Sequence, residues 1–181
     1  MTAPAASSAT TWKIDPTHTS VEFSVKHLMI STVKGRFADV EGTVTVPNGT
    51  PAGSSVEATI KTASIDTRNE QRDGHLRSAD FFDVESFSDI TFKSTSISGT
   101  PDAFKVTGDL TIRGVTKPIT LDATLEGTGK DPWGGTRMGF SASGKFDRRE
   151  FGLVWNQALE TGGVAVGHDV KLHIDAEVVQ G

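Results

Sequence analysis

Apolar and polar residues alternate with a period of two along most of the chain from Trp12 onward. This alternation puts every second side chain on one face of an extended strand, so it predicts strands with one buried face. The pattern recurs in about eight segments, residues 20–27, 36–46, 55–63, 90–98, 104–113, 117–126, 137–146 and 170–179. Strands at such short spacing with little helix predict an all-β antiparallel barrel or sandwich.

Small residues occupy several positions that the alternation predicts to face inward. They are Gly42, Ala58, Gly108, Ala123, Ala142 and Gly144. A barrel of about eight strands is wide enough to hold one slender ligand when its side chains leave room. The chain also contains 10 phenylalanines, whose rings are able to fill the same space. The pattern therefore leaves both a cavity and a filled core open.

The stretch 64–92 departs from the alternation. Thr67 and Glu70 have the spacing of a capping box, which predicts a helix over residues 68–77. Leu76 is the one large apolar residue in that run, so we expect a short polar cap rather than a core helix. We expect the phenylalanines that follow to fill the space under the cap. They are Phe81, Phe82 and Phe87.

Composition limits the classes of partner. With 18 basic and 23 acidic residues the net charge is -5. A negative protein is a poor match for nucleic acid or for an anionic membrane surface, since both require a basic face. The chain has no cysteine, which excludes disulfides and thiolate chemistry.

Residues 1–11 are small and polar, and we expect them to form a disordered arm before a single barrel domain over residues 12–181. The arm lacks the charged start and the apolar segment of a secretory signal, and the sequence contains no transmembrane stretch. These features predict a cytoplasmic protein.

Catalytic and phosphate-binding motifs are missing from the sequence. There is no Gly-x-Ser-x-Gly elbow, no His-Glu-x-x-His and no glycine-rich phosphate loop. His173 and Asp175 are assigned to the solvent face of a strand rather than to a metal site. We therefore expect no enzyme activity, no cofactor and no metal.

Polar residues near the cap are candidates for contact with a ligand's head group. Arg68, Arg72 and His75 fall at i, i+4 and i+7 and could present donors to a pyrophosphate or a quinone. The favoured alternative is that they pair with neighbouring acids and pin the cap, because residues 66–85 hold more acids than arginines. His27 lies on the apolar face of its strand, where it is either a core residue or a head-group contact.

Three segments occur in a characteristic order: RDGHLRSADFF at 72–82, GDLTIRGVTKP at 108–118 and DPWGG at 131–135. They resemble the YceI-like family, the lipocalin-like polyisoprenoid-binding proteins of bacteria, and the resemblance runs from Trp12 to about Val179. It implies an antiparallel lipocalin-like eight-stranded barrel with a short capping helix and a long apolar pocket. It also implies a bound isoprenoid lipid, quinone or similar amphiphile, and a possible homodimer.

The resemblance implies that the protein carries or sequesters such a lipid. The residues expected to contact it are Phe23, Val25, His27, Leu28, Phe37, Phe81, Phe82, Phe92, Leu110, Ile112, Phe140, Phe146 and Trp155. The head-group candidates are His27, Arg68, Arg72 and His75. Two alternatives stay open: an enzyme that acts on a related lipid through an inward His27, and a ligand-free, stress-related scaffold with a filled barrel.

Overall fold

The computed structural model describes residues 9–47 and 49–181, and within these ranges the protein is almost entirely β-structure. The strands are β1 Thr10–Ile14, β2 Ser20–His27, β3 Ser31–Phe37, β4 Val40–Val46, β5 Ser55–Lys61, β6 Ile65–Asp66, β7 Asp89–Thr100, β8 Ala103–Ile112, β9 Val115–Lys130, β10 Thr136–Asp147 and β11 Asp169–Gln180. Helix α1 spans Glu70–Arg77, and short 3₁₀ turns lie at Thr62–Ser64 and Arg148–Phe151. No helix in the described ranges has the length and apolar character needed to cross a membrane.

Eight strands form a closed antiparallel barrel in the order β1-β4-β5-β7-β8-β9-β10-β11. The ring closes where β1 pairs with β11, with Trp12 opposite Gln180 and Ile14 opposite Val178. One edge of β11 serves two partners, because residues 178–180 pair with β1 and residues 171–175 pair with β2. Strand β3 pairs with β2, and β6 pairs with β3. This arrangement confirms the predicted eight-stranded barrel.

The predicted strand over residues 36–46 is wrong in one respect, because it is interrupted at Ala38 and Asp39. Phe37 and Val40 are both buried, although an unbroken strand would point them to opposite faces. The N–H groups at the break donate to Ser64, that of Ala38 to the carbonyl and that of Asp39 to the hydroxyl. The interruption therefore changes the inward phase of the strand without leaving these donors unpaired.

The predicted arm over residues 1–11 falls mostly outside the described residues, which exclude 1–8. Thr10 and Thr11 belong to β1 and pair with Val46 and Thr45 of β4. The N-terminal boundary of the barrel is thus two residues earlier than the alternation predicts. The shift arises because both threonines lack the apolar side chains on which the alternation depends.

Helix α1 forms where the sequence predicts a cap but begins two residues later. Its N-cap is Asn69, whose side-chain oxygen accepts the Arg72 N–H at 2.9 Å. Thr67 therefore does not act in a capping box. It donates its hydroxyl and its backbone N–H to the buried carboxylate of Asp73, which ties the helix to the chain before it.

Asp73→Ala is expected to lower the free energy of unfolding by about 1–3 kcal/mol, because the buried N–H of Thr67 loses its acceptor. Urea unfolding followed by circular dichroism measures the change. Asp80→Ala is the control, since Asp80 pairs with His75 at an exposed site and should cost less than about 1 kcal/mol. Equal losses in the two variants would contradict the assignment of Asp73 as the buried acceptor for Thr67.

Candidate functional site

The inner faces of the strands enclose a cavity of about 300 Å³. Its wall follows the predicted alternation over long stretches. On β9, for example, Ile119, Leu121, Ala123 and Leu125 all line it. The predicted inward faces of β5, β10 and β11 contribute in the same way. The cavity therefore arises from the ordinary packing of a half-buried sheet.

Small inward residues do not all contribute to the cavity. A side chain on Gly108 would collide with the ring of Phe92, and one on Gly144 would collide with Leu121. These glycines accommodate neighbouring side chains. By contrast, Ala58, Ala123 and Ala142 line the cavity itself. Both sequence-based alternatives are thus partly right, because phenylalanine rings fill the space above some small residues while alanines leave space free.

Most of the apolar positions predicted to contact a lipid do line the cavity. They are Phe23, Val25, Phe37, Phe81, Phe82, Phe92, Leu110, Ile112, Phe140 and Phe146. Phe81 and Phe82 lie at the end nearest α1, together with Leu76 of the helix. The phenylalanines after the cap therefore close one end of the barrel.

His27 and Leu28 are not at the cavity, contrary to the prediction. All residues from 26 to 32 are exposed, so the β2–β3 hairpin projects beyond the barrel wall and has no facing strand. The alternation of β2 continues through His27, but no cavity remains there for it to face. The enzyme alternative loses its inward titratable residue as a result.

Four more of the predicted ligand contacts do not line the cavity. They are Trp155, Arg68, Arg72 and His75. The His75 ring packs edge-on against Trp155, with centroids 4.8 Å apart, and its Nε2 lies 2.8 Å from the Asp80 carboxylate. The Arg72 guanidinium donates to the hydroxyl and carbonyl oxygens of Thr67, both at 2.7 Å. Arg68 is exposed to solvent. His75 thus pairs with an acid as the favoured interpretation predicts, whereas Arg72 holds the cap through Thr67 rather than through an acid.

Arg148 is a lining residue that the sequence analysis missed. Its side chain is only 3% exposed, and burial lowers the pKa of its guanidinium. The guanidinium donates to four backbone carbonyls, those of Leu153, Trp155, Val166 and Gly167. The signal was present, because the inward alternation of β10 through Ala142 and Phe146 reaches Arg148 next.

The cavity reaches solvent at the opposite end of the barrel. Gly49 and Thr50, between β4 and β5, are exposed and also line the cavity. We call these two residues the mouth. Phe81, Phe82 and Leu153 close the other end. A ligand in the cavity therefore has a polar surrounding at the mouth and an apolar one along most of its length.

A polar cluster ties the β9–β10 loop to the rest of the barrel. Arg137 donates from Nη1 to Asp15 and Glu177, both at 2.7 Å, and from Nε to Asp131 at 2.8 Å. Hydrogen bonds from His18, Thr17 and Arg137 hold the pKa of Asp15 below its usual range. Those from Arg137 and from backbone N–H groups lower the pKa of Asp131. Oxygen and nitrogen atoms of Asp15, His18 and Glu177 lie within 4.8 Å of one another, a spacing compatible with a metal ion. The Arg137 guanidinium already donates hydrogen bonds to both carboxylates, so we assign the cluster a structural role.

His18 should titrate above its ordinary pKa of 6.5, because its ring is hydrogen-bonded to Asp15 and lies near Glu177. A raised folded-state pKa stabilises the fold fully below pH 6.5, and this contribution is lost as the pH rises through the folded-state value. NMR titration of the ring measures the pKa directly. Asp15→Asn should lower it, and a wild-type pKa at or below 6.5 would contradict the geometry.

Comparison with known proteins agrees with this architecture. The sequence model of the YceI-like domain matches residues 12–178. Protein YceI of Escherichia coli O157:H7 is 46% identical over 147 residues, which cover 80% of this chain and 77% of that protein. BcnA of Burkholderia cenocepacia has the same fold, with a TM-score of 0.78, 22% identity and coverage of 91% of this chain and 98% of BcnA.

A polyisoprenoid-binding domain from Saccharophagus degradans, implicated in plant cell wall breakdown, also shares the fold. Its TM-score is 0.67 at 16% identity, and the match covers 94% of this chain and 98% of that domain. The family match extends over nearly the whole barrel, from β1 to β11. The chain belongs to the YceI-like family.

Proposed function

We propose that the protein binds a long-chain amphiphile, such as a polyisoprenoid or an isoprenoid quinone, and carries or sequesters it in the barrel. The composition of the cavity wall is the observation that carries this proposal. Among the lining residues that the structure describes, only Thr19, Thr50, Ser54 and Arg148 have polar side chains. Such a wall matches an apolar chain and offers few partners to a polar molecule.

Binding by partition into the cavity is the mechanism. Burial of each CH₂ group contributes about 0.8 kcal/mol, which corresponds to roughly a fourfold gain in affinity before association costs. The shared fold with the Saccharophagus polyisoprenoid-binding domain supports an isoprenoid as one class of ligand. The cavity of about 300 Å³ is at the lower end of the range for small-molecule pockets.

Binding without chemical change is favoured over catalysis. General acid–base catalysis requires a titratable group within hydrogen-bond reach of the reacting atom. Arg148 is the one titratable residue among the described lining positions, and its guanidinium remains protonated in proteins. The scaffold alternative is disfavoured because the barrel retains free internal volume.

Native mass spectrometry of protein purified from its own host without detergent tests the proposal, with organic extraction to identify the ligand. We expect a bound mass in the range of a prenyl lipid, a quinone or another long-chain amphiphile. A ligand-free mass that does not change on addition of prenyl lipids, quinones or fatty acids would contradict the proposal.

A series of saturated fatty acids measures the mechanism independently. Affinity should rise by roughly fourfold for each added CH₂ and then level off once the chain fills the cavity. We expect the carboxylate of the fatty acid to lie at the mouth. An affinity that does not depend on chain length would exclude burial of the chain in the barrel.

A further inference from the structure

The β2–β3 hairpin ends in three consecutive apolar side chains that face solvent. Leu28, Met29 and Ile30 are 39%, 58% and 83% exposed. We call residues 28–30 the hairpin tip. A contiguous apolar cluster that rises from the surface is a feature of interaction sites.

The tip is held in a fixed and unfavourable conformation. Leu28 and Met29 have φ angles of 52° and 64°, in the left-handed region that bulky residues rarely adopt. The Leu28 N–H donates to the Ala165 carbonyl, and the Gly167 N–H donates to the Lys26 carbonyl, both at 2.9 Å. Strained residues that the surroundings hold in place are associated with functional sites. The tip is therefore a rigid projection rather than a fraying loop.

Lysines form a band on the outer surface next to the tip. Lys145, Lys171 and Lys34 lie in one cross-strand row, in which Ser24 is the fourth member. Lys26 lies one row closer to the tip. All four lysines are exposed, and none belongs to an ion pair among the described residues. We call Lys26, Lys34, Lys145 and Lys171 the lysine band.

Neighbouring carboxylates do not neutralise the lysine band. Asp147, at the end of β10, is paired with Arg149 at 2.6 Å. Asp169 stands opposite Asp147 on β11, and Glu160 is exposed on the adjoining loop. Glu22 is exposed on the same face of β2, one cross-strand row farther from the tip than Ser24. Four lysines therefore outnumber the three nearby carboxylates, Glu22, Glu160 and Asp169, that are in no ion pair among the described residues. The band is locally positive although the chain carries a net charge of -5.

We propose that the hairpin tip and the lysine band dock the protein on the surface of an anionic lipid bilayer. The apolar tip enters the boundary between head groups and acyl chains, and the lysines contact the negative head groups. Distant acids of the protein oppose this weakly, because charges are screened over about 10 Å at 0.1 M salt. An apolar projection bordered by lysines matches both the interior and the surface charge of such a bilayer.

Docking by this face sets the orientation of the barrel. The tip lies at the end of the barrel where β11 begins and pairs with β2. The mouth lies at the opposite end, where β11 ends and pairs with β1. A docked protein therefore holds its mouth away from the bilayer. The inference does not depend on the identity of the ligand in the cavity, and Ala142→Phe, which fills the cavity, should leave docking unchanged.

Flotation of the full chain with lipid vesicles tests the inference. We expect the protein to partition onto vesicles of phosphatidylcholine mixed with phosphatidylglycerol and much less onto phosphatidylcholine alone. Lys34→Glu with Lys171→Glu should weaken this partition by at least about 25-fold, since one lysine near an anionic surface contributes about fivefold. Met29→Asn with Ile30→Ser should weaken it by about tenfold, and both positions are exposed enough for the fold to persist.

Matched controls come from the mouth end of the barrel. Trp133 is 84% exposed, and Lys130 is exposed at the end of β9. Trp133→Ser and Lys130→Glu should leave the partition unchanged, and added salt should weaken binding of the wild type more than that of the lysine variant. Equal partition onto the two vesicle types, or equal losses in the mouth-end controls, would overturn the proposed docking surface.

Discussion

Replacing Ala142 with phenylalanine is expected to weaken binding of the proposed amphiphile strongly while the barrel stays folded. Ala142 lies on β10 and faces the cavity, opposite Ala123 of β9. A benzyl group at this point occupies space that the ligand chain needs. The loss should be roughly 100-fold in affinity, equal to the burial of about three to four fewer CH₂ groups.

Ser143→Phe provides the matched control, because Ser143 is the next residue of β10 and is exposed on the outer face. It should bind the ligand as the wild type does. Titration with a fluorescent fatty acid gives the affinities, and circular dichroism verifies the fold. Ala58→Leu, on the opposite side of the barrel, tests the same cavity if Ala142→Phe proves unstable. Undiminished binding in both cavity variants would move the ligand out of the barrel.

Arg148→Met should destabilise the fold by about 3–5 kcal/mol. The substitution keeps much of the apolar bulk but removes the donors for four backbone carbonyls. Those carbonyls belong to the segment between β10 and β11, and among the described residues only that of Val166 has a second side-chain donor, Asn156. Loss of the Arg148 donors therefore loosens the closed end of the cavity. Urea unfolding in the absence of ligand measures the change.

Arg149→Met is the matched control for this effect. Arg149 is exposed and pairs with Asp147, and a surface pair of that kind contributes about 0–1 kcal/mol. Arg148→Lys should recover only part of the stability, because an ammonium lacks the planar set of five donors of a guanidinium. Similar losses in Arg148→Met and Arg149→Met would show that the buried hydrogen bonds contribute little.

Strand content and inner faces followed from the sequence wherever the alternation is unbroken. Ile119 through Leu125 on β9 all point as predicted, because nothing interrupts the period of two. The prediction failed where the phase changes. The break after Phe37 and the bulge between Ser94 and Ser96 each shift the inward register, and the apolar pattern alone does not locate such shifts.

The candidate site was partly predictable for a related reason. Alternation identifies the face on which a residue lies, but it does not show whether another strand packs against that face. The pattern therefore predicts an inward His27, although its hairpin projects beyond the barrel. Arg148 shows the converse. Its inward phase was readable, but its burial depends on carbonyls that lie 5–19 residues further along the chain, and no local pattern reveals them.

The seam between β1 and β11 sets the order of events in folding. It joins Trp12, Lys13 and Ile14 to Gln180, Val179 and Val178, and it is formed by three registered pairs whereas β10 and β11 share eleven. Contacts between such distant parts of a chain form late, because the intervening loop must close first. The cavity therefore does not exist until β11 has been synthesised, and only a finished barrel is able to bind a ligand there. Afterwards the short seam is the part of the ring expected to open most often, and its amides should exchange with solvent before those of β10.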